Sequence, residues 1–154
     1  MGTQRLEEEV QRLFPQARIL RMDADVSRKK GAHEKVLSAF ERQEADILVG
    51  TQMVAKGLDF PLVTLVAVLN ADAGLNASDF RAGERTFQLL VQVLGRAGRK
   101  DKAGTALIQT YKPQNQILNY ASMYNYEAFI NEELMFRKKL KYPPFRFISY
   151  FIYG

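Results

Sequence analysis

Cysteine is absent from the 154 residues, and histidine occurs once, as His33. Without thiols there is no disulfide, no cysteine nucleophile and no thiolate metal site, and one imidazole cannot build a metal centre alone. Long apolar runs are missing too: no stretch approaches the roughly eighteen residues that a membrane span needs. The N-terminus, MGTQRLEEEVQRLF, is amphipathic and acidic where a secretory signal is basic and then apolar. The expectation is a soluble chain with no membrane partner. Nowhere does GxxxxGK[ST] occur, so no loop here is built to cradle β- and γ-phosphates beside a lysine. A magnesium-holding acidic pair after a strand is not evident either; Asp72 follows an apolar run, but one carboxylate is a weak signal. Internal repeats and low-complexity segments are lacking. Charge is only moderately biased, 22 Lys and Arg against 17 Asp and Glu, which suits a phosphate-bearing partner without requiring one.

What is present is apolar residue enough for a packed core, 47%, at a length that suits one domain with a small appendage. Leu6, Val10, Leu13 and Phe14 recur at helical spacing, which predicts a first helix capped by Thr3 and stopped by Pro15. RILRM at 18–22 reads as a short strand. KKGAHEKVLSAFERQ reads as a helix with Val36, Leu37 and Phe40 inward, and ADILVGT as a second strand. A short helical turn at 52–56, a buried strand at 63–70, a long amphipathic helix through FRAGERTFQLLVQVLGRAG and a strand at 104–110 follow. Apolar strands alternating with helices predict an α/β fold, a mostly parallel sheet covered by helices on both faces.

Past YKP, residues 113–142 read as a helical connector. Residues 143–154 open with Pro143 and Pro144, which break a helix, and continue at strand period. A lone strand cannot fold by itself, so residues 143–154 are expected to be the first strand of a truncated further domain. Residues 1–112 are then the α/β domain. Lys138, Lys139 and Lys141 read as a solvated helix face, and Tyr120, Tyr124 and Tyr126 as packing between the connector and the sheet.

In open parallel sheets the ligand crevice lies at the carboxyl ends of the strands. Two stretches there carry chemistry. GTQMVAKGLDFP, residues 50–61, sets Thr51, Gln52, Lys56, Gly57 and Asp59 just past a strand. Thr51 offers a hydroxyl and a backbone N–H to a phosphate, Gly57 permits a tight turn, and Asp59 can accept from a ribose or hold an arginine. A plain turn with a helix cap explains the same residues equally well. QVLGRAGR, residues 92–99, places Gln92, Gly95, Arg96 and Arg99 together at a helix C-terminus. Helix termination accounts for one glycine and for basic side chains near the macrodipole. The alternative is phosphate chemistry: guanidinium groups are planar, permanently charged and able to neutralise charge spreading over a γ-phosphate. On that reading Gly95 admits a close neighbour and Gly98 ends the helix.

GTQMVAKGLDFP resembles motif V of superfamily-two helicases, and QVLGRAGR resembles motif VI, in order and about forty residues apart. Together with GTQRLEEEVQRLFPQARILRMDAD, RKKGAHEKVLSAF and IQTYKPQNQIL, the chain is similar to the second lobe of the bacterial primosomal replication-restart helicases, from Gly2 to about Pro144. The resemblance implies a RecA-like helicase C-terminal lobe of an ATP-dependent 3′–5′ DNA helicase. It implies that Arg96 and Arg99 act as arginine fingers, Arg99 foremost, toward ATP and Mg2+ held mainly by an absent first lobe. Gln92, Gly57, Asp59 and Gly95 would lie on the nucleotide side, and Thr51, Gln52 and Lys56 toward the DNA backbone. Implied partners are single-stranded and forked DNA, other primosome proteins and single-stranded-DNA-binding protein, in the bacterial cytoplasm. Zinc is implied for the full-length family, but this chain holds none of its cysteine ligands. Alternatives are the lobe of another superfamily-two translocase, of branch-migration or restriction type, and a non-enzymatic nucleic-acid-binding domain.

Overall fold

A computed structural model of the chain describes residues 2–23, 31–51, 60–96 and 104–149, which fall into two units, Met1–Phe60 and Pro61–Gly154. In the first unit, helix α1 (Thr3–Leu13) turns Leu6 and Val10 half inward. Its end is where the sequence places it, short of Pro15. Its start is not: Gly2 occupies the N-cap and no side chain caps the helix. Thr3 is instead the first helical residue, and its hydroxyl donates to Asp23 at 2.6 Å, a partner twenty residues away that local pattern does not reveal. Leu13 and Phe14, expected on the apolar face, remain exposed.

Strands β1 (Ile19–Met22) and β2 (Ile47–Gly50) pair in parallel, Ile19 opposite Ile47 and Met22 opposite Gly50. Between them runs α2 (Ala32–Glu41), entered through Gly31 at φ 77, a left-handed turn that glycine makes without a Cβ clash. Met22, Leu37, Ala45 and Val49 form the buried interior of this unit. Phe40 is half-buried and meets the Phe60 ring edge-on, centroids 4.9 Å apart.

Asp46, just before β2, accepts from the Arg18 backbone N–H at 2.9 Å and from its guanidinium at 2.8 and 3.0 Å. The guanidinium foremost, then the backbone N–H, lowers the Asp46 pKa to about 2. A carboxylate depressed below its ordinary ~3.9 supports the fold above about pH 4 and loses that contribution as the pH falls toward 2. Carbon-detected NMR titration of the side-chain carboxyl is expected to place the Asp46 midpoint near 2, and Arg18→Gln to return it toward the ordinary range. Both side chains are exposed, so the pair contributes little to stability at neutral pH.

The second unit is built around a helix. Strands β3 (Leu65–Val68) and β4 (Thr105–Ile108) pair in parallel, Leu65 opposite Thr105 and Val68 opposite Ile108. Helices α3 (Asp72–Leu75) and α4 (Ala82–Leu94) lie between them in sequence. On α4 the buried residues Phe87, Leu90 and Leu94 keep the spacing of one helical face. That face joins Ala71, Leu118, Ala121 and Phe129 in one cluster, against which Val68 and Ile108 pack. The expected buried strand at 63–70 is therefore covered on one side only: Leu65 is 60% exposed and Leu107 49%. Alternation along a strand sends those side chains to the face opposite the cluster.

The stretch expected as a connector carries two helices, α5 (Gln116–Ser122) and α6 (Tyr126–Leu140). Asn115 caps the first by accepting from the Ile117 N–H at 2.9 Å, and Asn125 the second by accepting from the Ala128 N–H at 3.0 Å. Tyr124, at φ 53, makes the break. Both helices serve the α4 core. Phe129 of α6 stacks on Phe87, centroids 4.1 Å apart and the rings nearly parallel, and Tyr126 packs tilted against the same ring. Of the tyrosines expected to pack against the sheet, Tyr120 lies against the cluster that Val68 and Ile108 also meet, and its hydroxyl donates to Glu132 across the α5–α6 turn at 2.6 Å. Close approach is possible because Gly83 has no side chain: a Cβ there would stand 3.0 Å from Ile117 Cδ1. Lys138, Lys139 and Lys141 are exposed, as a solvated face requires. Among the described residues Phe145–Ser149 carries no strand; the rest of that expected strand, and the helical turn at 52–56, lie outside them.

Candidate functional site

The strand ends were the expected ligand rim, and each unit presents one. In the first unit β2 delivers Thr51, exposed, directly past Gly50. Its backbone N–H donates to the Met22 carbonyl at 3.3 Å, extending the β1–β2 ladder by one bond. That donor is therefore not available to a phosphate as expected, and the hydroxyl is what Thr51 can offer. Gln52, Lys56, Gly57 and Asp59 lie outside the described residues. At the matching end of β1, Asp23 is buried and takes the Thr3 hydroxyl. Arg21 stands between Asp23 at 3.4 Å and Glu7 at 3.2 Å. These contacts fasten the first turns of α1 to the rim beside Thr51. Asp23 was not singled out from the sequence; a carboxylate one residue past an apolar strand, in MDAD, was the available signal.

In the second unit the rim is closed by Asp72. Its carboxylate accepts from the Thr110 hydroxyl at 3.0 Å and from the Tyr111 N–H at 2.9 Å. The Tyr111 N–H foremost holds this carboxyl below the usual carboxylate range against the cost of burial, with the Thr110 hydroxyl assisting. Gln109 adds a second tie, its side-chain carbonyl accepting from the Asn70 N–H at 3.3 Å. Asp72 therefore joins the tips of β3 and β4. Among the described residues no group of carboxylates and imidazoles is arranged to hold a metal.

The end of α4 carries the basic motif. Gln92 is half-buried in the last turn, and the helix stops at Leu94. Gly95 is the C-cap, its N–H on the Val91 carbonyl at 3.1 Å, with φ −67 and no left-handed turn. A Cβ there would lie 3.3 Å from that same carbonyl. The expected division of labour, with Gly98 ending the helix, is thus corrected: termination comes at Gly95, four residues before Arg99. Arg96 follows directly, its N–H on the Val93 carbonyl at 3.0 Å. Its side chain is half-exposed and has no ion-pair or hydrogen-bond partner among the described residues. Gly98 and Arg99 lie outside them. A guanidinium with no partner among the described residues has the planar donor set that suits a phosphate.

Residues 2–101 match the family model described as helicase conserved C-terminal domain. The chain belongs to that family. This helicase C-terminal domain is 53% identical to replication restart protein PriA of Bacillus subtilis over 96% of its own length and 18% of that relative. It is 49% identical to the protein of the same name from Synechocystis, over 94% of this chain and 17% of the relative. The corresponding Haemophilus influenzae protein is 45% identical over 96% and 20%. The domain thus spans about a fifth of the length of the relatives it matches. Among solved structures it is similar to the C-terminal domain of the DEAD-box protein Dbp5, with a TM-score of 0.55 at 19% identity, covering 82% of this chain and 67% of that one. That likeness establishes the helicase C-terminal fold.

Proposed function

We propose that this domain is the second motor lobe of an ATP-dependent 3′–5′ DNA helicase that acts in replication restart and primosome assembly on single-stranded and forked DNA. The observation that carries the reading is Arg96: a permanent cation just past the capped end of α4, uncompensated by any described neighbour. With Arg99 three residues on, it offers two guanidinium groups to a γ-phosphate. ATP is the substrate and its phosphates need a grip this chain lacks, since no Walker loop is present. The first lobe of the same motor supplies that grip and the residues for the accompanying magnesium. On this reading the chain supplies half a site, with Arg96 and Arg99 for the transferred phosphoryl and Gln92, Gly95, Gly57 and Asp59 assigned to the nucleotide side. Zinc does not fit, because the chain has no cysteine and one histidine.

Closing the cleft would bring Arg99 and Arg96 onto the γ-phosphate; hydrolysis would remove that attraction and let the lobes part. Thr51, Gln52 and Lys56 hold the strand backbone on this lobe, so that alternating closure moves the strand in steps. The names of the relatives support a role in replication restart, and partner proteins of the primosome and of coated single strands belong to that proposal. Strand displacement is the test. A protein joining this lobe to its nucleotide-holding lobe is expected to separate forked DNA only with ATP and only from a 3′ single-stranded entry. A motor that hydrolyses ATP and moves along duplex without separating strands would instead be a translocase, and one with no ATP-dependence would be a simple binder.

A further inference from the structure

Residues 137–146, RKKLKYPPFR, hold five cations and no carboxylate. Arg137 is neutralised, bonded to Glu84 and to Glu133 at 2.8 Å each. The other four, Lys138, Lys139, Lys141 and Arg146, have no ion pair or hydrogen bond from their side chains among the described residues. The α6 macrodipole accounts for cations in the last helical turn, where Lys138 and Lys139 stand, but not for Lys141 and Arg146 beyond it. Large apolar side chains are interleaved with them. Phe136 is 52% exposed, and Phe147 stands wholly in solvent.

The stretch is held in place rather than loose. The backbone leaves α6 through Lys141 at φ 58, and the Tyr142 N–H returns to the Arg137 carbonyl at 2.8 Å. The Phe145 and Arg146 N–H groups both donate to the Tyr142 carbonyl, which fixes the backbone turn through Pro143 and Pro144. Below this turn the Tyr142 ring packs against Phe80, and the Arg137 guanidinium donates to the Pro143 carbonyl. Exposed aromatic rings interleaved with unpaired cations on a fixed turn are the chemistry of single-strand binding: cations track phosphates, and rings stack on bases. All six residues lie beyond residue 101, where the family match ends.

We infer that the C-terminal end of α6 and the turn after it form a second contact surface for single-stranded nucleic acid, with Phe147 and Phe136 stacking on bases and Lys138, Lys139, Lys141 and Arg146 on the backbone. It rests on the nucleic-acid half of the function proposed above. The test is fluorescence anisotropy of a labelled oligothymidine of about 20 nucleotides, titrated with the full chain across salt concentrations. Lys138→Gln, Lys139→Gln and Lys141→Gln together are expected to lower the salt slope by about 2, because each single-strand phosphate contact contributes roughly 0.7. Phe147→Ala is expected to weaken binding about tenfold with the slope unchanged. Melting temperatures should match the parent, since every substituted side chain is exposed. Binding that persists in both variants with the parent slope overturns the surface alone. A chain that binds no strand overturns the surface and the nucleic-acid reading together. A polyglutamate peptide that competes as well as the oligonucleotide, and loses as much in the lysine variant, assigns the patch to an acidic protein partner instead.

Discussion

Arg99→Ala, in the protein that pairs this lobe with its nucleotide-holding lobe, is expected to lower ATP turnover by on the order of a hundredfold or more while single-strand binding stays near the parent value. The two effects separate because a finger acts late. In the ground state the γ-phosphate is already gripped by the other lobe, so removing one guanidinium changes substrate affinity little. In the transition state charge spreads over three equatorial oxygens, and the lost cation is missed there. The loss should therefore fall on kcat more than on KM. Arg99→Lys should recover little, since an ammonium cannot reproduce a planar two-donor contact. Arg96→Ala should share the phenotype in weaker form if Arg96 is the partner and Arg99 the finger. Unchanged turnover in Arg99→Ala would remove the mechanism. Equal loss of strand binding and turnover would move the arginines from the phosphate to the DNA.

How far such a site can be read without coordinates depends on the range of the interactions that make it. The core face of α4 is a local pattern, and Phe87, Leu90 and Leu94 appear at their helical spacing in sequence and buried in structure. The strands likewise coincide with the apolar runs, whereas the Asn115 and Asn125 caps were not read from the sequence. Misreadings arise where a side chain finds a distant partner. Thr3 looks like a cap, but Asp23 lies within its reach and takes its hydroxyl. Thr51 looks ready to give its N–H to a phosphate, yet ladder pairing with Met22 uses that donor first. Asp72, a weak signal in sequence, turns out to be structural: Thr110 and Tyr111, nearly forty residues on, occupy its oxygens. Helix termination is misjudged for a smaller reason: either of two nearby glycines can end α4, and composition does not rank them.

Arg137 is the clearest case of a residue that only the fold identifies, and Arg137→Ala is expected to destabilise the second unit by about 3 kcal/mol. The guanidinium lies over the Phe80 ring, 5.3 Å from its centroid, with Glu84 of α4 and Glu133 of its own helix on either side. Burial works against its charge, but hydrogen bonds to Glu133 and then Glu84 outweigh that and raise its pKa further. Truncation leaves Glu133, itself 11% exposed at the side chain, without its cation. That uncompensated carboxylate, more than the lost attraction, sets the cost. Glu84 is a third exposed and can turn to water, which keeps the figure at the low end of the range for broken buried pairs. Thermal denaturation should show a fall of about 10 °C in Tm for a domain of this size. Replacing the three charges together, Arg137→Met with Glu133→Leu and Glu84→Met, should restore most of that loss, because an apolar filling of similar volume leaves no charge stranded. If Arg137→Ala melts with the parent, the triad is a surface network and α6 is held to α4 by the packing of Phe129 and Tyr126 on Phe87.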